Sequence, residues 1–451
     1  MKCRQNEHDE PQVELFKVEL TRIIDLNHEM VRLADTIDWE HFETTFSDLW
    51  KEIGRPAIST RLMVSLHYLK YTFDLSDEDV STGWLQNPYW QYLSGMRYFS
   101  HSTPLDPSSM SRWRKKVGQA GLEELLAETI RTGLKLKAIS QSQLQRVNLD
   151  TTVAEKHVRF PTDSRLYNRS RERLVKAADE LGIKLRQNYN RVGKQLLTQQ
   201  SRYASARQYK RARRCQKKLH TILGRVIRDI ERKKLESTDT AQLDHLLKVS
   251  KKVHAQQRQD KNKVYSVHAQ EVECISKGKT HKRYEFGVKV SIATTSKGGW
   301  HLGAMSLPGK PHDGHTIGQC LEQIERISSC SPSHLFADQG YRCKGKRQSY
   351  LEKETQIHID KKTRGKTPKR LWKWMKRRAA IEPSIGHLKA RHRLERNRLW
   401  GEEGDMHNAI LSVSGMNFSK LLKHLRQLWH QIFEILQRDL KLENYSKCEA
   451  S

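Results

Sequence analysis

The sequence predicts a mixed α/β protein in which helices flank a sheet. Three observations carry this. Apolar residues recur at helical spacing from Trp50 to Thr132. A basic, proline-poor tract with the same spacing fills residues 165–263. Short strand-forming runs stand on either side of that tract, "RVNLDTTVAE" before it and "YEFGVKVSIATT" and "HLGAMSLPG" after it.

Each element follows from local chemistry. In "STRLMVSLHYLKYTF", Leu62, Leu66, Leu69 and Phe73 share one helix face behind a Ser59 cap. Ser76 and Asp79 have the spacing of a capping box, which starts a second helix. A third opens in "DPSSMSRWRKKVG", where Ser108 or Ser109 can cap, Arg112, Arg114, Lys115 and Lys116 cluster, and Gly118 can end it. Three short helices with a basic last one suit a helix-turn-helix-like DNA-binding module; a small bundle with a solvated basic face is the competing reading. The neighbouring aromatics Trp84, Tyr89, Trp90, Tyr92, Tyr98 and Phe99 read as core.

Residues 165–263 hold 28 Lys and Arg against 9 Asp and Glu, so +19 of the chain's +30 lies in under a quarter of its length. Leu181, Leu185, Tyr189, Val192 and Leu196 keep helical spacing, as do Leu219, Leu223, Val226 and Ile230. Long basic helices in an antiparallel pair are expected. Their charge is either a solvated face or a phosphate-binding one, and its density favours the latter, with Arg211, Arg213 and Arg214 as the candidates. Beyond the tract, "SKGG" is a turn between two strands, "GHTIGQCLEQIERI" a helix, and "SHLFADQGYR" and "TQIHID" short strands. Residues from Thr367 to Leu399 and from Leu421 to Leu440 are expected to be helical.

Composition narrows the partners. A chain of 451 residues has room for two or three domains at ~150 residues each. With 82 Lys and Arg against 52 Asp and Glu, it attracts nucleic acid or an anionic membrane. No apolar run approaches the ~20 residues that span a bilayer, so nucleic acid is the expectation. The start, "MKCRQNEHDEPQVELF", lacks a signal peptide's apolar core. Seven cysteines without a C-x-x-C pair fit reduced thiols in a cytoplasm.

Against this basic background, three acids stand out. Asp150 and Asp338 each follow a short apolar run and precede turn-prone residues. Carboxylates at neighbouring strand ends suit Mg²⁺, a hard cation that takes oxygen ligands; an Asp that merely caps a turn is the competing reading. In "MKRRAAIEPSIGHLKARHRL", Arg378, Glu382 and Lys389 can share a helix face. They form either a surface ion-pair ladder or a metal ligand between two phosphate-gripping cations. Pro383 disfavours helix at Glu382, which points to a break there with Glu382 as the cap of the next helix.

The blocks "NLDTTV", "FADQGYR" and "RRAAIEPSIGHLKARHRLERNRL" resemble the three acid-bearing blocks of bacterial insertion-sequence DDE transposases, in family five of the family four/five group. "VECISKGKTHKRYEFGVKVSIATT", "PHDGHT" and "GDMHNAIL" are also similar to family sequence, so the likeness runs from about Ile58 to Phe418. Where the wider group often has a tyrosine three residues before the arginine, this chain has Met375. The resemblance implies a ribonuclease-H-like mixed sheet with flanking helices, a helical N-terminal DNA-binding domain over 1–135, and a catalytic domain over 140–435. The basic helices 165–263 then become an α-helical insertion between the first and second strands, with 436–451 as a tail.

It also implies that Asp150, Asp338 and Glu382 hold two Mg²⁺ ions, or Mn²⁺ in their place, and that Arg378 and Lys389 grip phosphate. Tyr341, Arg342, Arg112, Arg114 and Lys115 are the further candidate DNA contacts. The implied partners are double-stranded DNA, both element ends and target, and a second copy of the chain when ends are synapsed; the implied location is the nucleoid. A non-catalytic regulator, a general nuclease on the same fold and a structural nucleoid or RNA-associated protein remain the competing functions.

Overall fold

The computed structural model describes residues 18–50, 57–103, 105–233, 241–276, 282–342, 355–361 and 365–449, with side chains described as far as residue 431. The chain divides into two compact units, residues 1–155 with 289–451, and residues 156–288.

The first unit begins with helices α1 (Glu29–Thr36), α2 (Trp39–Phe46), α3 (Thr60–Thr72), α4 (Asp77–Gln86), α5 (Pro88–Leu93), α6 (Ser108–Lys135) and α7 (Gln141–Leu144). Ser59 caps α3 by accepting from the Leu62 N–H, and the reciprocal Ser76–Asp79 capping box starts α4. The expected apolar stripe of α3 is present, but the helix is buried nearly all round. Its polar groups find internal partners: Tyr68 donates to the Leu125 carbonyl at 2.7 Å and Tyr71 to Asn408 Oδ1 at 3.2 Å. That satisfaction lets polar side chains sit in a core helix.

The third expected helix differs at its start. Neither Ser108 nor Ser109 caps it; Asp106 Oδ1 instead accepts from the Ser108 N–H at 2.9 Å. Gly118 does end its first segment: at φ +65° and ψ −170° it leaves the helical path, and a second helical segment of α6 runs on to Lys135, with Leu122, Leu125, Leu126 and Ile130 on its buried face.

The strands are β1 (Arg146–Lys156), β2 (Glu273–Ser276), β3 (Tyr284–Thr295), β4 (His301–Leu307), β5 (His334–Ala337), β6 (Gln356–Ile359) and β7 (Arg396–Asn397). They form one mixed sheet of order β2-β3-β1-β5-β6, with β4 paired to β3 and β7 to β1. β1, β5 and β6 run parallel, and β3 is antiparallel to β2 and β4. β3 crosses from the second unit into the first at Lys289.

In the second unit lie helices α8 (Asp163–Glu180), α9 (Asn190–Ser205), α10 (Tyr209–Lys233) and α11 (Ala241–Ala255), in the chain between β1 and β2. The expected stripe Leu219, Leu223, Val226 and Ile230 is the buried face of α10, against Leu174 and Val253. The antiparallel pair is corrected to four helices among the described residues, and the spacing from Leu181 to Tyr189 does not make a helix. Gly182, at φ +69°, leaves the helical path. Buried Arg171 then fastens the connection through the Asn188 carbonyl at 2.9 Å and Asn190 Oδ1 at 2.6 Å, while Asp229 accepts from the Arg186 N–H at 2.8 Å.

Back in the first unit, α12 (Ile317–Ser328), α13 (Lys369–Arg377), α14 (Ile381–Arg391) and α15 (Gly401–Glu449) complete the chain. The expected helical region Thr367–Leu399 is two helices joined by a 3₁₀ turn at Arg378–Ala380, and then β7. The expected tail, residues 436–449, continues α15, whose earlier part packs on α3, α6 and β4. The N-terminal helices thus share a core with the sheet. Among the described residues no helix is long and apolar enough to cross a membrane.

Candidate active site

Parallel pairing of β1 with β5 places Leu149 opposite Ala337. Asp150 and Asp338 are the residues that follow this pair along the chain. Neighbouring strands lie ~4.8 Å apart, so this register alone brings two acids from distant parts of the chain side by side. The apolar residues before them, Val147, Leu149, Leu335, Phe336 and Ala337, are buried and fix that register. β1 continues past Asp150 to Lys156, so the first acid lies within its strand rather than at the end. β5 stops at Ala337, and Asp338 caps the following 3₁₀ turn by accepting from the Gly340 N–H at 3.0 Å.

The third acid arrives on α14. That helix restarts at Ile381, two residues earlier than Pro383 suggested, so Glu382 sits in its first turn instead of capping it. Pro383 falls where a helical N–H has no intrahelical partner, and the ring is therefore tolerated. Ser384, on the buried side, shares a 3.2 Å hydrogen bond with His301 of β4, which sets the rotation of the helix. Arg378, in the preceding 3₁₀ turn, joins the set: its Nη1 lies 3.5 Å from Asp150 Oδ2 and its Nη2 3.5 Å from Glu382 Oε1.

Burial pushes the Asp150 carboxyl up to about 6, and the charges of Asp338 and Glu382 push the same way against the Thr151 N–H and Arg378. Its side chain is only 16% exposed, whereas that of Glu382 is 63% exposed. Arg378 is itself 11% exposed, and its Nε is buried without a hydrogen-bond partner. Carboxylate oxygens crowded in this way, with one guanidinium held loosely as countercharge, are the donor set a hard divalent cation takes. Among the described residues no three His, Cys, Asp or Glu side chains close into a ready-made cage. Mg²⁺ does not require one, because it commonly keeps waters and substrate oxygens as ligands. The residues fit the ion.

The other candidates separate. Lys389, half-buried, lies two turns beyond Glu382 on α14. Arg112 and Lys115 are exposed on α6, and Arg342 is exposed with its Nη2 donating to the Asp360 carbonyl at 2.9 Å. Arg211, Arg213 and Arg214 are exposed on α10 of the second unit. Two candidates are corrected. Arg114 is 2% exposed and paired with Asp77 at 2.7 Å, and Tyr341 is 1% exposed, so neither reaches DNA from this fold. Met375 is buried, so it leaves no polar group where the wider group often has a tyrosine.

One acid beside the site was missed. Lys289 of β3 donates to Asp313 Oδ1 and to the Pro311 carbonyl, both at 2.9 Å. Asp313 faces Gly340: a Cβ built there would meet Asp338 Oδ1 at 3.1 Å and Asp313 Oδ2 at 3.4 Å. In "PHDGHT" an acid between turn residues looks like any turn acid, and only the block's family likeness was a signal.

The family described as "Transposase domain (DUF772)" matches residues 18–116, and the family described as "Transposase DDE domain" matches residues 250–414. The second match includes Asp338 and Glu382, and Asp150 lies outside it. A Rhizobium meliloti protein described as "Uncharacterized protein ORF8 in nfe locus" is 46% identical over 196 residues, which is 44% of this chain and 95% of that relative. No solved structure matches the chain.

Proposed function

Since the chain belongs to the DDE transposases typical of the insertion-sequence family four/five group, we propose that it binds the terminal inverted repeats of its own element, hydrolyses the phosphodiester there with metal assistance, and joins the freed 3′-hydroxyl to target DNA. The observation that carries this reading is the pairing of β1 with β5, which sets Asp150 beside Asp338 while Arg378 links Asp150 to Glu382.

Asp150, Asp338 and Glu382 are the residues that would hold Mg²⁺, or Mn²⁺ in its place. A pair of such ions supplies an activated water and neutralises charge on the phosphoryl and leaving oxygens. The chain's own part is orientation. The buried β1–β5 register fixes two carboxylates, and the Ser384–His301 contact holds the helix that carries the third. Arg378 and Lys389 are the cations proposed to take phosphates beside the scissile one, and a guanidinium suits that task through its fork of donors. Arg112 and Lys115 of the N-terminal helices and the exposed arginines of α10 are the proposed backbone contacts. Two ends must be held for joining, which makes a homodimer the proposed working form. The setting is the bacterial cytoplasm, at the nucleoid.

The deciding experiment is incubation of the protein with its element's ends and a target plasmid. Mg²⁺-dependent cutting followed by covalent joining is expected. Cutting without joining would favour a general nuclease, and binding without cutting a regulator.

Two further outcomes are expected. Replacing Arg211, Arg213 and Arg214 together by glutamine should lessen the slope of log affinity against log salt by about 0.9 for each phosphate no longer neutralised. An unaltered slope returns α10 to a structural role. Gly340→Ala should lower the cleavage rate by roughly tenfold with end binding unchanged, because its Cβ displaces Asp338 by a few tenths of an ångström and reacting geometry is sensitive to such shifts. Full activity would show that Asp338 has slack.

A further inference from the structure

Resting on the catalytic reading above, we infer that Asp313 is a fourth carboxylate of the site and Lys289 its tether, the two together tuning how tightly the site takes a divalent cation. Asp313 comes from the short turn Asp313–His315 and Asp338 from the end of β5, and the turn Gln339–Tyr341 packs against the first. With no side chain on Gly340, nothing separates the two carboxylates on that side. Asp313 divides its oxygens: Oδ1 meets Lys289 Nζ, and Oδ2 faces the glycine beside Asp338. Beside them Tyr341 is buried, and its hydroxyl lies within electrostatic reach of both Asp313 and Asp150.

A plain ion pair that braces the 311–315 segment on β3 makes a different prediction from a charge device, and the two variants Asp313→Asn and Lys289→Gln separate them. If the pair only braces, losing either partner harms the site in the same direction. If Asp313 adds negative potential and Lys289 offsets it, the variants move affinity in opposite directions.

The test uses the full-length protein without DNA and measures bound Mn²⁺ by electron paramagnetic resonance, so it does not depend on turnover. Asp313→Asn should weaken Mn²⁺ binding by about tenfold and Lys289→Gln should tighten it several-fold, in line with the loss of one unit charge near the ion. Weakening by both variants, or no change in either, overturns the inference. If Asp313→Asn fails to fold, Lys289→Gln decides alone: tightening supports the inference, and weakening or no change sinks it. Asp150→Asn in the same assay keeps the two readings apart. If that variant binds Mn²⁺ like the parent, the proposed metal site itself is wrong, whatever Asp313 does.

Discussion

Asp150→Asn, Asp338→Asn and Glu382→Gln should each lower metal-dependent cleavage of element ends by at least about a thousandfold while leaving end binding nearly intact. The isosteric amides keep shape and remove one negative ligand. Losing several kcal/mol of charge stabilisation in the transition state corresponds to that factor at about tenfold per 1.4 kcal/mol. Binding survives because affinity for DNA rests on Lys and Arg contacts to phosphate, which these changes do not touch. Asp150 is the most demanding case. Its side chain is far more buried than that of Glu382, and neutralising it also deprives Arg378 of one of its two carboxylates. A gel-based cleavage assay with a parallel binding titration checks all three. Parent-like cutting by any one variant removes that residue from the site.

Asp77→Ala should cost about 3–5 kcal/mol of folding stability without touching the chemistry. Asp77 accepts from both Arg114 nitrogens, at 2.9 and 2.7 Å, and from Lys70 Nζ at 2.8 Å. The side chains of Lys70 and Arg114 are only 5% and 3% exposed, so the substitution would strand two cations in the core of α3, α4 and α6. Burial works to raise the Asp77 carboxyl, but the bonds and charges of Arg114 and Lys70 outweigh it and hold the group well below the ordinary carboxylate range. Burial pulls the Lys70 ammonium down to about 8, with Arg114 adding to it, which marks how much these cations depend on their one acid.

The sign of the pH effect follows. A carboxyl whose folded pKa is depressed contributes stability that is fully present above its unfolded value, ~3.9, and is lost as pH falls below that toward the folded value. Urea unfolding of parent and variant should therefore differ most near neutral pH and converge in acid. A neutral-pH loss below about 1 kcal/mol would show that the cluster relaxes to admit water.

Residues whose partners lie close in sequence were legible. Ser59 and the Ser76–Asp79 box start their helices as their spacing requires, and the α10 stripe is a helix face because its period is the helix's own. The interval from Arg378 to Glu382 likewise places both on one surface, and the two side chains meet. Contacts across long separations were not legible. Arg112 and Arg114 look alike in "SRWRKK", yet one is exposed and the other is buried on Asp77, a residue 37 positions away. Tyr341 stands beside Arg342 in a polar turn and is buried because its ring enters the core while the arginine stays outside. Gly118 carries an ordinary helix-stop signal and breaks the helical path as it should, but that a second helical segment follows at once was not legible from it.

By itself the sequence determined the helical and strand-forming segments, the excess of positive charge, and the three acid-bearing blocks with their family likeness, since each is written in neighbouring residues. Only the tertiary structure decided which cations face solvent, that Asp150 and Asp338 share a register, and that Asp313 with Lys289 stands behind them. The reason is that burial and electrostatic environment belong to what packs against a residue, and the packing partners here come from strands and helices up to hundreds of positions distant.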